Sequence, residues 1–591
     1  MATYVAYTPT GVIGKALFNM DAFGLANYKV SGTVRVSVSD SYTESQYVAL
    51  SASLADGVYT ALGSGNGAWT PAQLANIDAV TAAYSSFIDL QFLPVADYSG
   101  STPGAVASNT DIDISLIYRP DWSYSGASGG GTDSNFGYAG SRGDVILNWD
   151  GFGSAGLSND KSLNSNSFGF HTLMHEIGHS LGLSHPHNAV TNGVATMTAD
   201  YAATTGAGFD RLGFPVGRPL DMNKEYFSIM SYDDQRVTGQ ADTYAQTPMI
   251  LDVIALQEAY GEGSGTSATG NDVIAPGGKG GVAAYRTYFD RGGIDTVDLV
   301  NYPSGAYLHM GTSIVGAAHP VGVSMSRDDE YSMVVLERDP ASLRWFYGDY
   351  ENAIGSAGND HIVGNSLNNT IGGQAGDDTL DGQTGDDSIA GGDGNDNLSG
   401  GSGNDTLDGG AGIDTAVFAG RMADYSVSAG AHAVKDNVGA GRTDTLIAIE
   451  RLQFSDTKLA LDVNIGQSGA EAALLIGAVK GKAALADKIL VGELLNYFDA
   501  GNTLLTAATA LVNTGIMDSL AGGPATGAYV NLIYHAVTGQ VATAGDTGAL
   551  AALIDGGSYS KAGFLAAAAE LPQNQANVGL TGLPQTGLEY S

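Results

Sequence analysis

The chain of 591 residues contains no cysteine. Disulfides, thiolate metal ligands and a cysteine latch over an active site are therefore excluded, and any staple must come from packing or bound cations. Basic residues are scarce as well. Against 62 Asp and Glu stand 25 Lys and Arg, a formal net charge of −37 at neutral pH, which argues against nucleic acid as a partner. No apolar run reaches the roughly 18 residues of a membrane-spanning helix. The opening residues Met1 to Tyr7 lack the basic and apolar regions of a secretory signal peptide. Taken alone this reads as cytosolic, an expectation that the repeats described below reverse. What abounds is glycine, 84 residues, a sign of turn-dense architecture. Much of the acid is Asp within Gly-rich repeats, which bound cations explain better than a disordered acidic tail. The length suits two to four domains.

Residues 171 to 185 carry the sharpest signal, with His175, Glu176 and His179 forming H-E-x-x-H. On a helix, positions i and i+4 share a face, so both imidazoles point into one volume. Glu176, beside the first of them, can hold a water against a metal rather than bind the metal itself. The helix should stop at Gly182, which tolerates the turn, and the returning chain offers His185 before Pro186. His175 and His179 alone would also suit an ordinary half-buried helix. Three imidazoles and an open position describe a catalytic zinc site, not a closed structural one.

H-E-x-x-H-x-x-G-x-x-H resembles the signature of the metzincin zinc proteases, and Ser184-His185-Pro186 is similar to the serralysin branch, secreted bacterial metalloproteases with calcium-binding repeats. The resemblance implies a Met-turn, supplied by Ser228-Ile229-Met230-Ser231-Tyr232. It gives Met230 a place beneath the zinc ligands and makes Tyr232 a movable ligand that donates to the oxyanion. The order of elements also resembles the upper half of a serralysin protease domain. A helix opens at Pro71 with Thr70 as N-cap, with Leu74, Ile77, Val80, Ala83 and Tyr84 at helical spacing. Strands are expected at Val34–Val38, Leu90–Phe92, Asp111–Leu116 and Asp144–Asn148, and a helix from Thr247 to Tyr260. In the family the strand nearest the zinc is an edge strand that pairs with substrate; residues 144 to 149 are expected close to it. In the bridge that follows, Phe289 to Val297 resembles a calcium-binding turn with Asp290 and Asp295 as ligands. A plain hairpin is the alternative.

From Gly355 to Val417 seven nonapeptides fit G-G-x-G-x-D-x-U-x without a gap, the pattern of a calcium-binding parallel β-roll. Glycine stands where backbone carbonyls must face a cation, and the sixth-position carboxylate supplies a hard oxygen ligand. These acids are Asp360, Asp378, Asp387, Asp396, Asp405 and Asp414; the second unit has Asn369 instead, and Leu367 in place of Gly, so its site should be weak. The apolar positions are Ile362, Ile371, Leu380, Ile389, Leu398, Leu407 and Ala416. One apolar residue per nine makes no core without cations, so the segment should be disordered at cytosolic calcium and fold at roughly 0.1 to 1 mM outside the cell. The resemblance implies type I secretion with an uncleaved C-terminal signal.

The expected fold is multidomain α+β. Residues 1–262 are a metzincin protease domain, with room for a short propeptide, and 263–354 a bridge. Residues 355–417 are the roll, 418–462 a small β cap, and 463–591 a helical C-terminal module of unknown role that faintly resembles modules of bacterial surface proteins. The expected function is a secreted, extracellular zinc endopeptidase acting on proteins or peptides, with one catalytic zinc and several structural calcium ions. Cell-surface or S-layer attachment through the last module is a further expectation. Two rivals stand beside it. One is a non-catalytic surface or adhesion protein with a vestigial protease domain. The other is a serine hydrolase built on Ser128 in Gly126-Ala127-Ser128-Gly129-Gly130, a G-x-S-x-G match in loop-like sequence.

Overall fold

Proline fixes the first helical dihedral at no hydrogen-bond cost, and a helix duly begins at Pro71. The computed structural model describes residues 3–6, 28–31, 34–39, 71–94, 112–117, 137–139, 144–148, 168–183, 227–230, 244–266, 270–277, 284–312, 317–327, 342–428, 432–438 and 441–591. Thr70, Ser128, His185, Pro186 and Tyr232 lie outside them. The chain divides into two compact units, Met1–Asn352 and Ala353–Ser591.

In the first unit a short pair, β1 (Thr3–Ala6) and β2 (Tyr28–Ser31), is antiparallel. A mostly parallel sheet is built from β3 (Val34–Ser39), β4 (Phe92–Pro94), β5 (Ile112–Ile117), β6 (Gly137–Ala139) and β7 (Asp144–Asn148). Its order is β4-β3-β5-β7-β6, with β6 alone antiparallel. Residues 144 to 148 are thus interior, and among the described strands the edges are β4 and, beside β7, β6. Strand β4 starts at Phe92, two residues beyond the expected Leu90. Helix α1 (Pro71–Phe87) buries Gln73, Ile77, Val80, Tyr84 and Phe87, whereas Leu74 is 39% exposed. Ile77, Val80 and Tyr84 face inward as the apolar spacing suggested; only in the first turn does Gln73 take the place expected for Leu74.

Helix α2 (Phe168–Ser180) packs on β6, β7 and α1. Helix α3 (Ile250–Tyr260) begins three residues later than Thr247. Pro248 disfavours a helical residue before it, and the Asp252 side chain accepts from the Met249 amide and so sets the N-terminus there. It ends at Gly261, φ +78°, a conformation glycine adopts without strain. Beyond residue 262 the packing continues. Strands at Ala284–Phe289, Val321–Ser326 and Arg344–Tyr347 add Tyr285, Phe289, Val323 and Trp345 to the same apolar core as α1, α2 and α3. Ala284–Phe289 pairs in parallel with Arg344–Tyr347, while Thr296–Asp298 pairs elsewhere, with Val273–Ile274. The bridge turn is not a hairpin.

In the second unit the nonapeptides form a two-sheeted roll. Strands at His361–Asn365, Thr379–Gln383, Asn397–Ser399 and Thr415–Val417 stack in one sheet. Those at Thr370–Ala375, Ser388–Asp393 and Thr406–Ala411 stack in the other. Partners are parallel and 18 residues apart, as in Leu380↔Leu398 and Ile389↔Leu407. All seven apolar positions are buried, Ile362 through Ala416. Cap strands continue both sheets, with Leu446 beside Leu407 and Leu452 beside Ala416.

Residues 468–586 are helical, with a core that includes Leu474, Leu475, Tyr529, Ile533 and Leu565. The module is not helical throughout. Its last strand, Leu588–Tyr590, returns to pair antiparallel with Lys458–Ala460. Buried Arg451 joins cap to module, reaching Asp462 at 2.5 Å and Asp499 at 2.7 Å. Among the described residues, no helix is long and apolar enough to cross a membrane.

Candidate functional site

Residues Leu173, Met174, Ile177 and Leu181 bury one side of α2 and its exit. That burial orients the rest of the helix, and the His175 and His179 rings stand together, centroids 4.8 Å apart and nearly perpendicular. Each is held at the nitrogen nearer the backbone. His175 Nδ1 lies 2.7 Å from the Ile229 carbonyl and His179 Nδ1 2.7 Å from the Leu183 carbonyl. A carbonyl only accepts, so in both neutral rings the proton sits on Nδ1 and the lone pair on Nε2. This is a tautomer that suits a metal-ligating histidine, and a backbone carbonyl on the other ring nitrogen is a common way of fixing it. Glu176 is buried beside them, 5% exposed. The helix stops as the sequence requires: Gly182 has φ +102°, and the Leu183 amide turns back to the Gly178 carbonyl at 3.0 Å.

Met230 is fully buried. A Cβ on Gly178 would lie 3.0 Å from both Met230 Sδ and Tyr84 Oη, so glycine at 178 is what lets the methionine approach α2. Nothing in the H-E-x-x-H pattern marks Gly178, an x position of the motif. Asp252, which no motif singles out, is fully buried and ties the Met230 turn together. Its carboxylate accepts from Ser228 Oγ (2.6 Å), the Ile229 amide (2.8 Å) and the Met249 amide (2.9 Å). Burial raises its pKa to about 7 against the pull of those three hydrogen bonds. His185 and Tyr232, the third expected ligand and the expected oxyanion donor, lie outside the described residues, as does Ser128. Among the described residues no three His, Asp or Glu side chains group closely enough to hold a metal alone, so a metal on the α2 pair would need a ligand from outside them.

In the bridge, Asp290 and Asp295 are both buried. Asp290 Oδ2 accepts from the Gly292 amide at 2.8 Å. Asp295 Oδ1 accepts from the Asp272 amide at 2.8 Å, and the Asp295 amide donates to Glu351 Oε2 at 2.7 Å. The Asp272 backbone amide and the Glu351 carboxylate thus tie down the turn at Asp295. Burial first, then the neighbouring Asp290, Glu351 and Asp272, raise the Asp295 pKa to about 6. Gly293, φ +147°, is required here, since a Cβ would strike the Gly270 carbonyl oxygen.

The roll repeats one link. The amide of each sixth-position residue donates to Oδ1 of the residue 18 further on: Asp360 to Asp378, Asn369 to Asp387, Asp378 to Asp396, Asp387 to Asp405, and Asp396 to Asp414, all at 2.7–2.9 Å. The other oxygen, Oδ2 of Asp378, Asp387, Asp396, Asp405 and Asp414, is buried without a hydrogen-bond partner. A row of buried anionic oxygens is costly unless a cation meets them. Hard carboxylate oxygens beside glycine carbonyls suit calcium. The second unit differs. Asn369 Nδ2 donates to Asn365 Oδ1 at 3.1 Å, a neutral link where its neighbours carry a bare oxygen. Asp360 is bracketed by Ser356, whose hydroxyl donates to Oδ1 at 3.0 Å. The ladder also outlasts the repeats, because the Asp405 amide donates to Asp444 at 3.1 Å and the Asp414 amide to Glu450 at 3.0 Å. Asp444 lies off the nine-residue period, and Glu450, 36 positions after Asp414, falls on it only beyond Val417, where the repeat pattern stops, so the repeats pointed to neither.

An H-E-x-x-H helix joined in one chain to a parallel roll of nonapeptide turns defines a narrow class, and comparison with known proteins narrows it further. The family model for the RTX calcium-binding nonapeptide repeat matches residues 354–389 and 381–416. Serralysin of Proteus mirabilis is 28% identical over 249 residues, 37% of this chain and 42% of that protein. Metallopeptidase AprA of Pseudomonas marginalis is 27% identical over 34% of this chain and 38% of its own length. Serralysin C of Dickeya chrysanthemi is 30% identical over 33% of this chain and 36% of its own. The chain thus spans less than half the length of these curated relatives. It is related to the serralysin-type metalloproteases and carries RTX calcium-binding repeats.

Proposed function

We propose that the chain is a secreted zinc-dependent endopeptidase of metzincin type, folded and stabilised by calcium. The observation that carries this reading is the pair His175 and His179 on one helix face. Both have Nδ1 committed to a backbone carbonyl, which makes Nε2 the ligating nitrogen, and Glu176 lies between them in sequence. A zinc ion held by His175, His179 and His185 would supply Lewis acidity toward a water and a peptide carbonyl. Glu176 takes the proton of the attacking water and delivers it to the leaving amine. Tyr232 donates a hydrogen bond to the developing oxyanion. Met230 forms the floor beneath the imidazoles. Strand β6, at the sheet edge and against α2, offers its backbone to an extended substrate peptide.

In this reading residues 1–262 are the protease domain, 263–354 the bridge, 355–417 the calcium roll, 418–462 its cap and 463–591 an accessory helical module. Calcium is held at Asp290 and Asp295 and along Asp360, Asp378, Asp387, Asp396, Asp405 and Asp414. The chain leaves the cell unfolded by a type I route and folds in external calcium; the helical module attaches it to a cell surface. The test is hydrolysis of casein by calcium-loaded protein beside Glu176→Ala, with bound zinc measured in both. Wild type should cleave, and the variant should keep its zinc and lose activity by at least about 100-fold, the scale of general acid–base catalysis. Zinc binding without cleavage in either protein would favour the adhesion reading. Cleavage that resists chelators and vanishes in Ser128→Ala would favour the serine hydrolase.

A further inference from the structure

The Ile229–Met230 peptide is gripped from both sides. Its carbonyl accepts from His175 Nδ1 at 2.7 Å. Its amide, on Met230, donates to Ser228 Oγ at 3.0 Å, and the Ser228 hydroxyl in turn donates to Asp252 Oδ1 at 2.6 Å. A hydroxyl has one proton. With that proton given to Asp252, a lone pair of Ser228 is directed at the Met230 amide. Oδ2 of the same carboxylate holds the preceding amide, on Ile229, at 2.8 Å. Asp252, Ser228 and Met230 are all fully buried, so breaking one of these links leaves a buried polar group unsatisfied. Capping α3 would need only the contact to the Met249 amide. The other two run to the turn.

We propose that Asp252 is a positioning residue for the candidate metal centre. Acting through Ser228 and the Ile229–Met230 peptide, it fixes the carbonyl that keeps the His175 proton on Nδ1, and so presents Nε2 to the metal. The proposal rests on the zinc reading above, but its first readout does not require metal. His179 is an internal control, because its Nδ1 is held by the Leu183 carbonyl on a separate turn.

The experiment uses the full calcium-loaded chain, selectively ¹⁵N-labelled at its ten histidines, as wild type, Asp252→Asn, Asp252→Ala and Ser228→Ala. Three quantities are measured: ring-nitrogen shifts of His175 and His179 in zinc-free protein, zinc affinity by competition with a chelator, and kcat and KM on a peptide. In Asp252→Ala, His175 should move toward mixed tautomers while His179 stays put. Zinc affinity should weaken about 10- to 100-fold, the usual effect of removing a group that orients a metal ligand, and kcat should fall with KM nearly unchanged. Asp252→Asn, which keeps an acceptor for the backbone amides, should recover most of this. Ser228→Ala breaks the link at its narrowest point and decides the matter if Asp252→Ala fails to fold. Two results would overturn the proposal: wild-type His175 shifts and zinc affinity in Ser228→Ala, or equal displacement of both histidines, which marks general loosening. A wild type that shows the Nδ1 tautomer and binds zinc yet cleaves nothing would defeat the protease reading and leave the positioning role standing.

Discussion

The Asp405 amide donates to the carboxylate of Asp444, 39 positions along the chain, at 3.1 Å. Every repeat link before it spans 18. The cap therefore does more than cover the last apolar residue: it supplies the acid that an eighth repeat would have brought. Asp444→Ala should leave the Asp405 amide without that acceptor, at a cost of about 1–3 kcal/mol. It should also raise the calcium concentration needed to fold the roll by several-fold. A calcium titration followed by far-ultraviolet circular dichroism measures this; an unchanged midpoint would show that Asp444 is only a surface acid.

Protons and calcium should compete for the roll. Burial, with neighbouring acids adding to it, raises the pKa of Asp378 to about 7 and those of Asp387, Asp414, Asp444 and Glu450 to about 6. A carboxyl whose pKa is raised on folding binds protons more tightly in the folded state, so its contribution is present at low pH and lost as pH rises through the folded value. In chelator the roll should be most stable near pH 4 and lose stability between about pH 4 and 7. Saturating calcium should flatten or reverse that slope. Melting curves from about pH 4 to 8, with and without calcium, are the check, and a calcium-free roll that gains stability as the pH rises would contradict the expected linkage.

The second repeat should bind cation only after a change of sequence. Asn369→Asp removes the amide that bonds Asn365 and places an anionic oxygen where the neighbouring units have one. Without calcium the variant should be less stable by about 1 kcal/mol, the worth of one hydrogen bond. With calcium it should hold one more ion per chain, counted by elemental analysis after gel filtration. An unchanged count would mean that Leu367, not Asn369, closes that site.

Gly178→Ala pits two effects against each other. Alanine favours helix by about 1 kcal/mol over glycine. The added methyl, however, meets Met230 Sδ and Tyr84 Oη at 3.0 Å, and Tyr84 cannot give way because its hydroxyl is bound to the Met174 carbonyl at 2.7 Å. Overpacking of this kind costs about 1–3 kcal/mol, so the variant should melt several degrees lower. A higher melting temperature would show that the methionine shifts freely beneath α2.

Part of this architecture is legible in the residues alone. The nonapeptide period implies the parallel roll, its register and all seven buried apolar positions, because each turn repeats the same local chemistry. The H-E-x-x-H spacing puts two imidazoles on one face, and Gly182 marks the end of the helix. Apolar spacing along α1 matches the buried Ile77, Val80 and Tyr84 but points to Leu74 in the first turn, where the helix buries Gln73 instead. At a helix end spacing gives the face only to within a residue. That Asp144–Asn148 is flanked by β6, leaving β6 as the edge, could not be read, since strand order is a matter of which segments meet and not of what each contains.

What the sequence determined by itself is whatever recurs at fixed spacing along the chain: the histidine pair on one helix, the glycine and aspartate of each turn, and the single apolar residue that each repeat buries. What only the tertiary structure decided are the contacts between distant segments. Asp252 reaches back 24 residues to Ser228, Tyr84 reaches forward 90 to Met174, and Asp444 and Glu450 complete a ladder begun by the repeats. Such pairs carry no local signature. A buried carboxylate is stable only where several donors converge on it, and that convergence exists only once the chain has folded.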